Sequence, residues 1–460
     1  MPRLVVVSNR VAPITEGQPT SGGLAAGVMD ALKERGGVWF GWSGEITQDA
    51  IAAAPFAHSL GQVHLHTIDL TRRDYDEYYR GFSNDTLWPV LHYRPNLARF
   101  TRGAFTGYGR VNTVFARAVA ELIEIDDLIW AHDYHLFPLA EALRAEGVTN
   151  RLGLFLHTPF PAPQIFMTIP THAEIGRALC HYDLLGFQTE SDRLAFEDYV
   201  VRQCGGTAKD RIISAFGRIV QTDVYPIGVH VDEVRAQATD PANQRAGAQL
   251  RSAVAERKLI ISVDRLDYSK GLQQRFAAYE KFLETFPAMQ GNVTFLQIAP
   301  PSRTDIQTYQ EIRQELEAEA GRINGRFAEL DWVPLRYLNR GFPREVLMPL
   351  YAIAQVGLVT PLRDGMNLVA KEYLAAQDPD DPGVLVLSQF AGAAQELTAA
   401  LIVNPYDSEG IADALNQAFT MPREERRDRH VELLKTMRHH SLNRWRDRFA
   451  ADLAGPGVAR

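Results

Sequence analysis

The stretch Leu259-Ile260-Ile261-Ser262-Val263-Asp264-Arg265-Leu266-Asp267-Tyr268-Ser269-Lys270-Gly271 decides the fold. Its first five residues are uncharged and mostly aliphatic, the signature of a short strand buried on both faces. A polar turn ending in glycine follows, and residues 272–286 then carry a helical pattern. Strand, loop and helix in that order form half of a βαβ unit, and repetition of the unit implies a parallel sheet. The same alternation continues outward: residues 293–298, 356–360, 384–387 and 401–403 read as strands, and residues 305–320 and 368–376 as helices. Toward the N-terminus, residues 4–8, 128–130, 152–156 and 184–188 form an earlier series. Two series imply two doubly wound α/β domains of similar size. Pro226 and Gly228 close a strand between them, and the expected division is residues 1–235 and 236–460. Residues 423–453 are charged and helical by pattern.

Composition narrows the function classes. Of 460 residues, 46% are apolar and 23% charged, which excludes a disordered chain and a coiled coil. The net charge of −8 argues against a nucleic-acid binder, which needs a basic face. Phosphorylated small ligands stay open, because a few local cations suffice for them. Two cysteines, Cys180 and Cys204, are too few for a disulfide framework and point to the cytosol as free thiols. No apolar run nears the roughly 18 residues of a membrane span, so a cytoplasmic protein is expected.

In open α/β sheets, ligands bind beyond the carboxyl ends of the strands, so the loops there carry the chemistry. Arg265 and Lys270 stand in one loop just before a helix N-terminus, a set that suits a diphosphate. A solvated loop of mixed charge is the plainer alternative. Asp364, Gly365 and Asn367 follow residues 356–360, and Glu372 lies on the next helix, where its carboxylate could accept from a sugar or ribose diol. Taken alone, Glu372 reads first as an exposed helix residue paired with Lys371 or nearby charges. Near the N-terminus, Ser8-Asn9-Arg10 is followed by Ser21-Gly22-Gly23-Leu24. That glycine turn matches neither a dinucleotide fingerprint nor a P-loop, and by itself suits a structural turn as well as a phosphate. His132, Asp133 and His135 could look like metal ligands, but their spacing is not that of a zinc helix and no cysteine is near. Asp74-Tyr75-Asp76 has the form of a D-x-D metal element, yet it falls in a polar helical stretch and is set aside.

Taken in order, further segments join these: Trp39-Phe40-Gly41-Trp42-Ser43-Gly44, Tyr78-Tyr79, Leu87-Trp88-Pro89, His132-Asp133-Tyr134-His135-Leu136, His157-Thr158-Pro159-Phe160-Pro161 and Arg363-Asp364-Gly365-Met366-Asn367-Leu368-Val369-Ala370-Lys371-Glu372. The set resembles the α,α-trehalose-6-phosphate synthases, retaining glycosyltransferases of family 20. The resemblance spans residue 4 to at least Asp407. It implies the GT-B architecture, two Rossmann-like domains with the active site in the cleft between them. The first would bind the acceptor and the second the nucleotide sugar, with the final helix packing back on the first.

The implied reaction moves glucose from a nucleoside diphosphate glucose, usually UDP-glucose, to glucose 6-phosphate with retention. Arg265 and Lys270 would hold the donor diphosphate, helped by the amides of Gly22, Gly23, Leu368 and Val369. Glu372 would take the ribose diol. Asp364, His157 and Asn367 would contact the donor glucose. Arg10, Tyr79, Trp88, Asp133 and Arg303 would bind the acceptor, the two arginines on its phosphate. Asp133, His157, Arg265, Lys270 and Asp364 are the residues expected at the reacting centre. The resemblance also implies no metal and no other cofactor, no nucleic-acid or membrane partner, a homo-oligomer (dimer or tetramer), and a separate trehalose-6-phosphate phosphatase downstream. A relative with another acceptor, such as a glucosylglycerol-phosphate or pseudo-disaccharide phosphate synthase, is the nearest alternative. A non-catalytic sugar-phosphate sensor would be expected to lack Arg265, Lys270 or Glu372, and all three are present.

Overall fold

The computed structural model describes residues 2–11, 23–48, 56–254, 257–303 and 307–455. The chain divides into two compact units, Met1–Pro226 with Asn443–Arg460, and Ile227–Leu442. The division falls after Pro226 rather than at residue 235, because the helix Val231–Thr239 packs on the helices Arg344–Ile353 and Leu368–Ala376 of the second unit.

In the first unit the strands are β1 (Leu4–Arg10), β2 (Gly37–Thr47), β3 (Phe56–Leu60), β4 (Val63–Thr71), β5 (Leu128–His132), β6 (Leu152–Phe155), β7 (Leu184–Phe187), β8 (Thr207–Lys209), β9 (Ile212–Ala215) and β10 (Arg218–Val224). They form one sheet in the order β3-β4-β2-β1-β5-β6-β7-β10-β9-β8. The core from β4 to β10 is parallel, while β3 and the β8–β9 hairpin are antiparallel additions at its two edges. The second unit holds β11 (Lys258–Val263), β12 (Val293–Ile298), β13 (Leu335–Leu338), β14 (Val356–Val359), β15 (Val384–Ser388) and β16 (Leu401–Val403). Its all-parallel order, β13-β12-β11-β14-β15-β16, is the doubly wound arrangement of a dinucleotide-type fold. Both sheets reverse direction beside their first strand, between β1 and β5 and between β11 and β14, and those are the positions where such sheets bind ligands.

Every strand expected from its apolar run is present. The apolar runs do not mark β2, β3, β8, β9 or β13, whose polar, half-buried or exposed residues break the pattern of a fully buried strand. The charged C-terminal stretch is two helices, Arg423–His439 and Leu442–Ala454, and the chain returns to the first unit between them. The last helix lays Trp445 and Phe449 on the first sheet. Phe449 stacks on Trp130 with centroids 4.6 Å apart and also meets Tyr225 and Phe155. Gly153 and Gly186 leave room for it, since a Cβ at either would approach its ring within 3 Å. The cysteines are free, Cys180 buried and Cys204 half-buried, and burial pushes the Cys180 thiol up to about 12.

Phe449 is fully buried. Phe449→Ala should therefore destabilise the first unit by about 3–5 kcal/mol, the usual cost of an aromatic-sized core truncation. Urea unfolding of the full chain checks this, and a midpoint equal to wild type would show that the helix is not part of that core.

Candidate active site

In the second unit, the loop after β11 is built around buried charge. Arg275, on the apolar face of the helix Leu272–Thr285, is fully buried. It pairs with Asp264 at 2.9 Å and donates to Ser262 Oγ, Gln297 Oε1, Thr360 Oγ1 and the carbonyl of Lys270. Burial raises the Asp264 carboxyl and lowers the Arg275 guanidinium, and each charge offsets part of the shift in the other. Lys270 closes a short 3-10 turn, Tyr268–Lys270, and Gly271 then turns left-handed (φ 67°) into the helix. A side chain at Gly271 would place its Cβ 2.5 Å from the Thr360 carbonyl, so the close approach to the chain just past β14 requires glycine.

Across the switch point, Lys270 Nζ donates to Asp364 Oδ2 at 2.5 Å, and Asn367 Nδ2 donates to the same oxygen at 3.0 Å. Asn367 adopts φ 76° and caps the helix Leu368–Ala376, its Oδ1 accepting from the Ala370 N–H. The N–H groups of Leu368 and Val369, in the first turn, have no intrahelical acceptor. Arg265 is exposed on the same loop. Glu372 is half-buried and faces Arg344 at 3.3 Å. Burial lifts its carboxyl above the ordinary range, and Arg344 draws it partly back. Lys371 does not pair with it. That ammonium is buried and holds Glu396 at 2.5 Å and the Ile227 carbonyl at 2.8 Å. Arg303 follows β12 at φ 49°, and its guanidinium bonds Asp267 and Tyr309.

The first unit gathers a second group at its own switch point. Asp133 follows β5 in a conformation uncommon for a non-glycine residue (φ 75°, ψ 171°). Two bonds hold it there: its N–H donates to the Phe155 carbonyl, and its Oδ1 accepts from the His157 N–H at 3.2 Å. His157 Nε2 and His132 Nδ1 lie 3.1 Å apart, one donating to the other. Burial pushes the His157 imidazole down to about 3 and lowers His132 as well. Arg10 lies at the end of β1 with its guanidinium 5.7 Å from the Trp42 ring. Gly44 makes that possible, because a Cβ there would meet the guanidinium at 2.2 Å. Ring contacts run from Trp42 through Tyr79, His135 and Tyr134 to Trp88, which is itself largely buried.

Residues expected at one site therefore gather in two groups, Lys270, Asp364, Asn367, Leu368, Val369 and Glu372 in the second unit, and Arg10, Tyr79, Trp88, Asp133 and His157 in the first. Gly22 lies outside the described residues, and Gly23 begins the helix Gly23–Arg35. Arg275, Arg344, Asp267 and Gly44 were not foreseen as contributors. Arg275 left a signal, since it shares spacing with Leu272, Phe276 and Tyr279 on the core-facing side of its helix. Asp74 is buried on Arg110 at 2.6 Å while Asp76 is exposed, so that D-x-D serves a structural ion pair. Among the described residues, no group of three or more His, Cys, Asp or Glu side chains converges as metal ligands.

A family model described as glycosyltransferase family 20 matches residues 4–455. A trehalose-6-phosphate synthase of Enterobacter sp. (strain 638) is 53% identical over 454 residues, 98% of this chain and 95% of that protein. The crystal structure of an α,α-trehalose-phosphate synthase (UDP-forming) from Burkholderia vietnamiensis is 56% identical, with TM-score 0.96 and 98% of each chain covered. Another, from Burkholderia xenovorans in complex with glucose-6-phosphate, is 54% identical, with TM-score 0.94 over 98% of this chain and 100% of that one. Matches over nearly the full length, at identities far above those that establish kinship, accord with the ordered segments and with both switch-point groups, and the chain belongs to glycosyltransferase family 20.

Proposed function

We propose that this glycosyltransferase transfers glucose from UDP-glucose to glucose 6-phosphate with retention, giving α,α-trehalose 6-phosphate and UDP, the first step of trehalose biosynthesis. The observation that carries the reading is the second unit's switch-point group: Lys270, Asp364 and Asn367 joined by hydrogen bonds at the N-terminus of the helix Leu368–Ala376. Breaking the bond between glucose C1 and the diphosphate puts negative charge on the leaving group. The Lys270 ammonium, the exposed Arg265 and the Leu368 and Val369 N–H groups answer that charge where it develops. Asp364 and His157 orient the donor glucose, and Glu372 accepts from the ribose diol. Arg10, Tyr79, Trp88, Asp133 and Arg303 serve the acceptor. The acceptor hydroxyl attacks C1 on the leaving-group face as the C1–O bond breaks, and its proton passes to a phosphate oxygen. No enzyme nucleophile takes part, and the cations and amides serve without a metal.

A cytoplasmic location, a homo-oligomer and a separate phosphatase that consumes the product belong to the same reading. Among the described residues, no helix is long and apolar enough to cross a membrane.

The direct experiment is incubation with glucose 6-phosphate and a panel of nucleoside diphosphate glucoses, in excess chelator, with the product identified by NMR. Trehalose 6-phosphate from UDP-glucose is expected, whereas a product from another acceptor only would overturn the reading. Lys270→Ala should lower kcat/KM by roughly 30- to 3000-fold, the equivalent of about 2–5 kcal/mol for a charge-assisted contact. A near-normal value would remove Lys270 from the leaving-group site.

His157 supplies a pH test. With its folded-state value pushed down to about 3, the ring is neutral at every pH above roughly 4. It can then act as a hydrogen-bonding group but not as the titrating acid or base. His157→Asn should lower kcat/KM yet leave the shape of the pH profile between about pH 5 and 8 unchanged. Loss of an acid limb in that window would show that the imidazole titrates during turnover. On stability the sign is fixed too: an unfolded histidine near 6.5 binds protons that the folded ring refuses. His157 therefore contributes stability fully present above about pH 6.5, which is lost as pH falls toward 3.

A further inference from the structure

Asp267 is fully buried, lies in the loop after β11, and belongs to none of the substrate contacts above. Its two carboxylate oxygens do different work. Oδ1 accepts from the Ser269 N–H at 2.9 Å and so caps the turn Tyr268–Lys270. Oδ2 accepts from Arg303 Nη1 at 3.0 Å and from the Tyr309 hydroxyl at 2.9 Å. The Arg303 guanidinium also lies 5.5 Å from the Tyr309 ring centroid and bonds the Tyr309 oxygen. One buried carboxylate thus fixes the backbone turn that presents Lys270 and the side chain of Arg303, which stands on the separate loop after β12.

We propose that Asp267, with Tyr309, is a positioning residue that presents the Arg303 guanidinium to the acceptor's phosphate and sets it at a fixed place relative to Lys270. The proposal rests on the reading of Arg303 as an acceptor-phosphate contact. A long arginine on a loop has many rotamers, and holding one costs conformational entropy on binding. A carboxylate bonded to one edge of the guanidinium removes that freedom beforehand, and the planar fork keeps a fixed direction toward an anion. Arg303 sits at φ 49°, in the left-handed region, which the same anchor stabilises. Coupling to the capped turn has a further consequence: acceptor recognition is keyed to an anion that arrives at a set position beside the donor diphosphate, which discriminates against sugars without a phosphate.

The substitution Asp267→Asn separates the two roles. An amide oxygen can still accept from the Ser269 N–H and keep the cap. The amide NH2 then faces the donors of Arg303 and Tyr309, so the charge-assisted anchor is lost. The expected result is a KM for glucose 6-phosphate raised about ten-fold or more, with KM for UDP-glucose within about two-fold of wild type. Tyr309→Phe, which keeps the ring and removes one hydroxyl, should shift the acceptor KM in the same direction by less. Competitive inhibition by inorganic phosphate against glucose 6-phosphate should weaken in parallel in both variants. Arg303→Ala distinguishes the proposal from the reading beneath it. If Arg303→Ala leaves the acceptor KM unchanged, the acceptor reading of Arg303 fails. If Arg303→Ala raises it but neither Asp267→Asn nor Tyr309→Phe does, the positioning role alone is overturned. In the Arg303→Ala background, Asp267→Asn should add no further rise in acceptor KM, and an additive effect would contradict action through Arg303. Should Asp267→Asn fail to fold, Tyr309→Phe and the phosphate inhibition decide the matter, and no change in either overturns the role.

Discussion

The second unit depends on one buried ion pair, Arg275 with Asp264. Taking both charges out of water costs several kcal/mol per ion unless the remaining donors are satisfied. Here the guanidinium reaches four acceptors besides Asp264, and each belongs to a different piece of chain. Ser262 lies on β11, Gln297 on β12, Thr360 just past β14, and the Lys270 carbonyl on the functional turn. A planar guanidinium with five donors in fixed directions can tie four segments at once, which an ammonium cannot. The arrangement holds Lys270 opposite Asp364 through contacts within the protein. A site built this way is preorganised, and electrostatic stabilisation of a leaving diphosphate then needs little rearrangement at the moment of bond breaking.

Three of the seven non-glycine residues at positive φ among the described residues stand at the site. Asp133, Arg303 and Asn367 are non-glycine residues at positive φ, and each follows a parallel strand on the side where ligands bind. Each is held by specific bonds: Asp133 by Phe155 and His157, Arg303 by Asp267 and Tyr309, and Asn367 by Ala370 and Asp364. Such conformations cost on the order of 1–3 kcal/mol each and persist only where neighbours over-determine them. In the first unit, Gly44 does the converse, giving space to the Arg10 guanidinium over Trp42.

Much of this was legible in the residues. Runs such as 259–263 and 356–360 announce buried parallel strands because both faces are apolar, and the loops after them carry the charges. Some strands were harder: β13, at a sheet edge, is half-buried, and β2, inside its sheet, continues past its buried half into polar residues, so neither shows a strand's simple pattern. Lys270, Asp364, Asn367 and Glu372 could be picked out because charge and glycine cluster after a strand. Partnerships could not. That Lys371 reaches Glu396 and Ile227 while Glu372 faces Arg344 depends on which side of one helix each projects from, and on elements more than twenty residues away. The boundary lies at the Pro226–Gly228 turn, and only the helix Val231–Thr239 changes sides, since it is assigned by what it packs against and not by its composition.

The most direct measurement is the affinity for UDP, by isothermal titration, of the wild-type chain and Arg275→Lys. The substitution keeps a buried positive charge able to face Asp264 but removes the fork that ties Ser262, Gln297, Thr360 and the Lys270 carbonyl together. Circular dichroism reports whether the sheets persist. With the fold retained, Kd for UDP should rise about ten-fold or more, because the Lys270 turn is no longer held in place. An unchanged Kd in a folded variant would contradict the dependence of the site on that buried guanidinium.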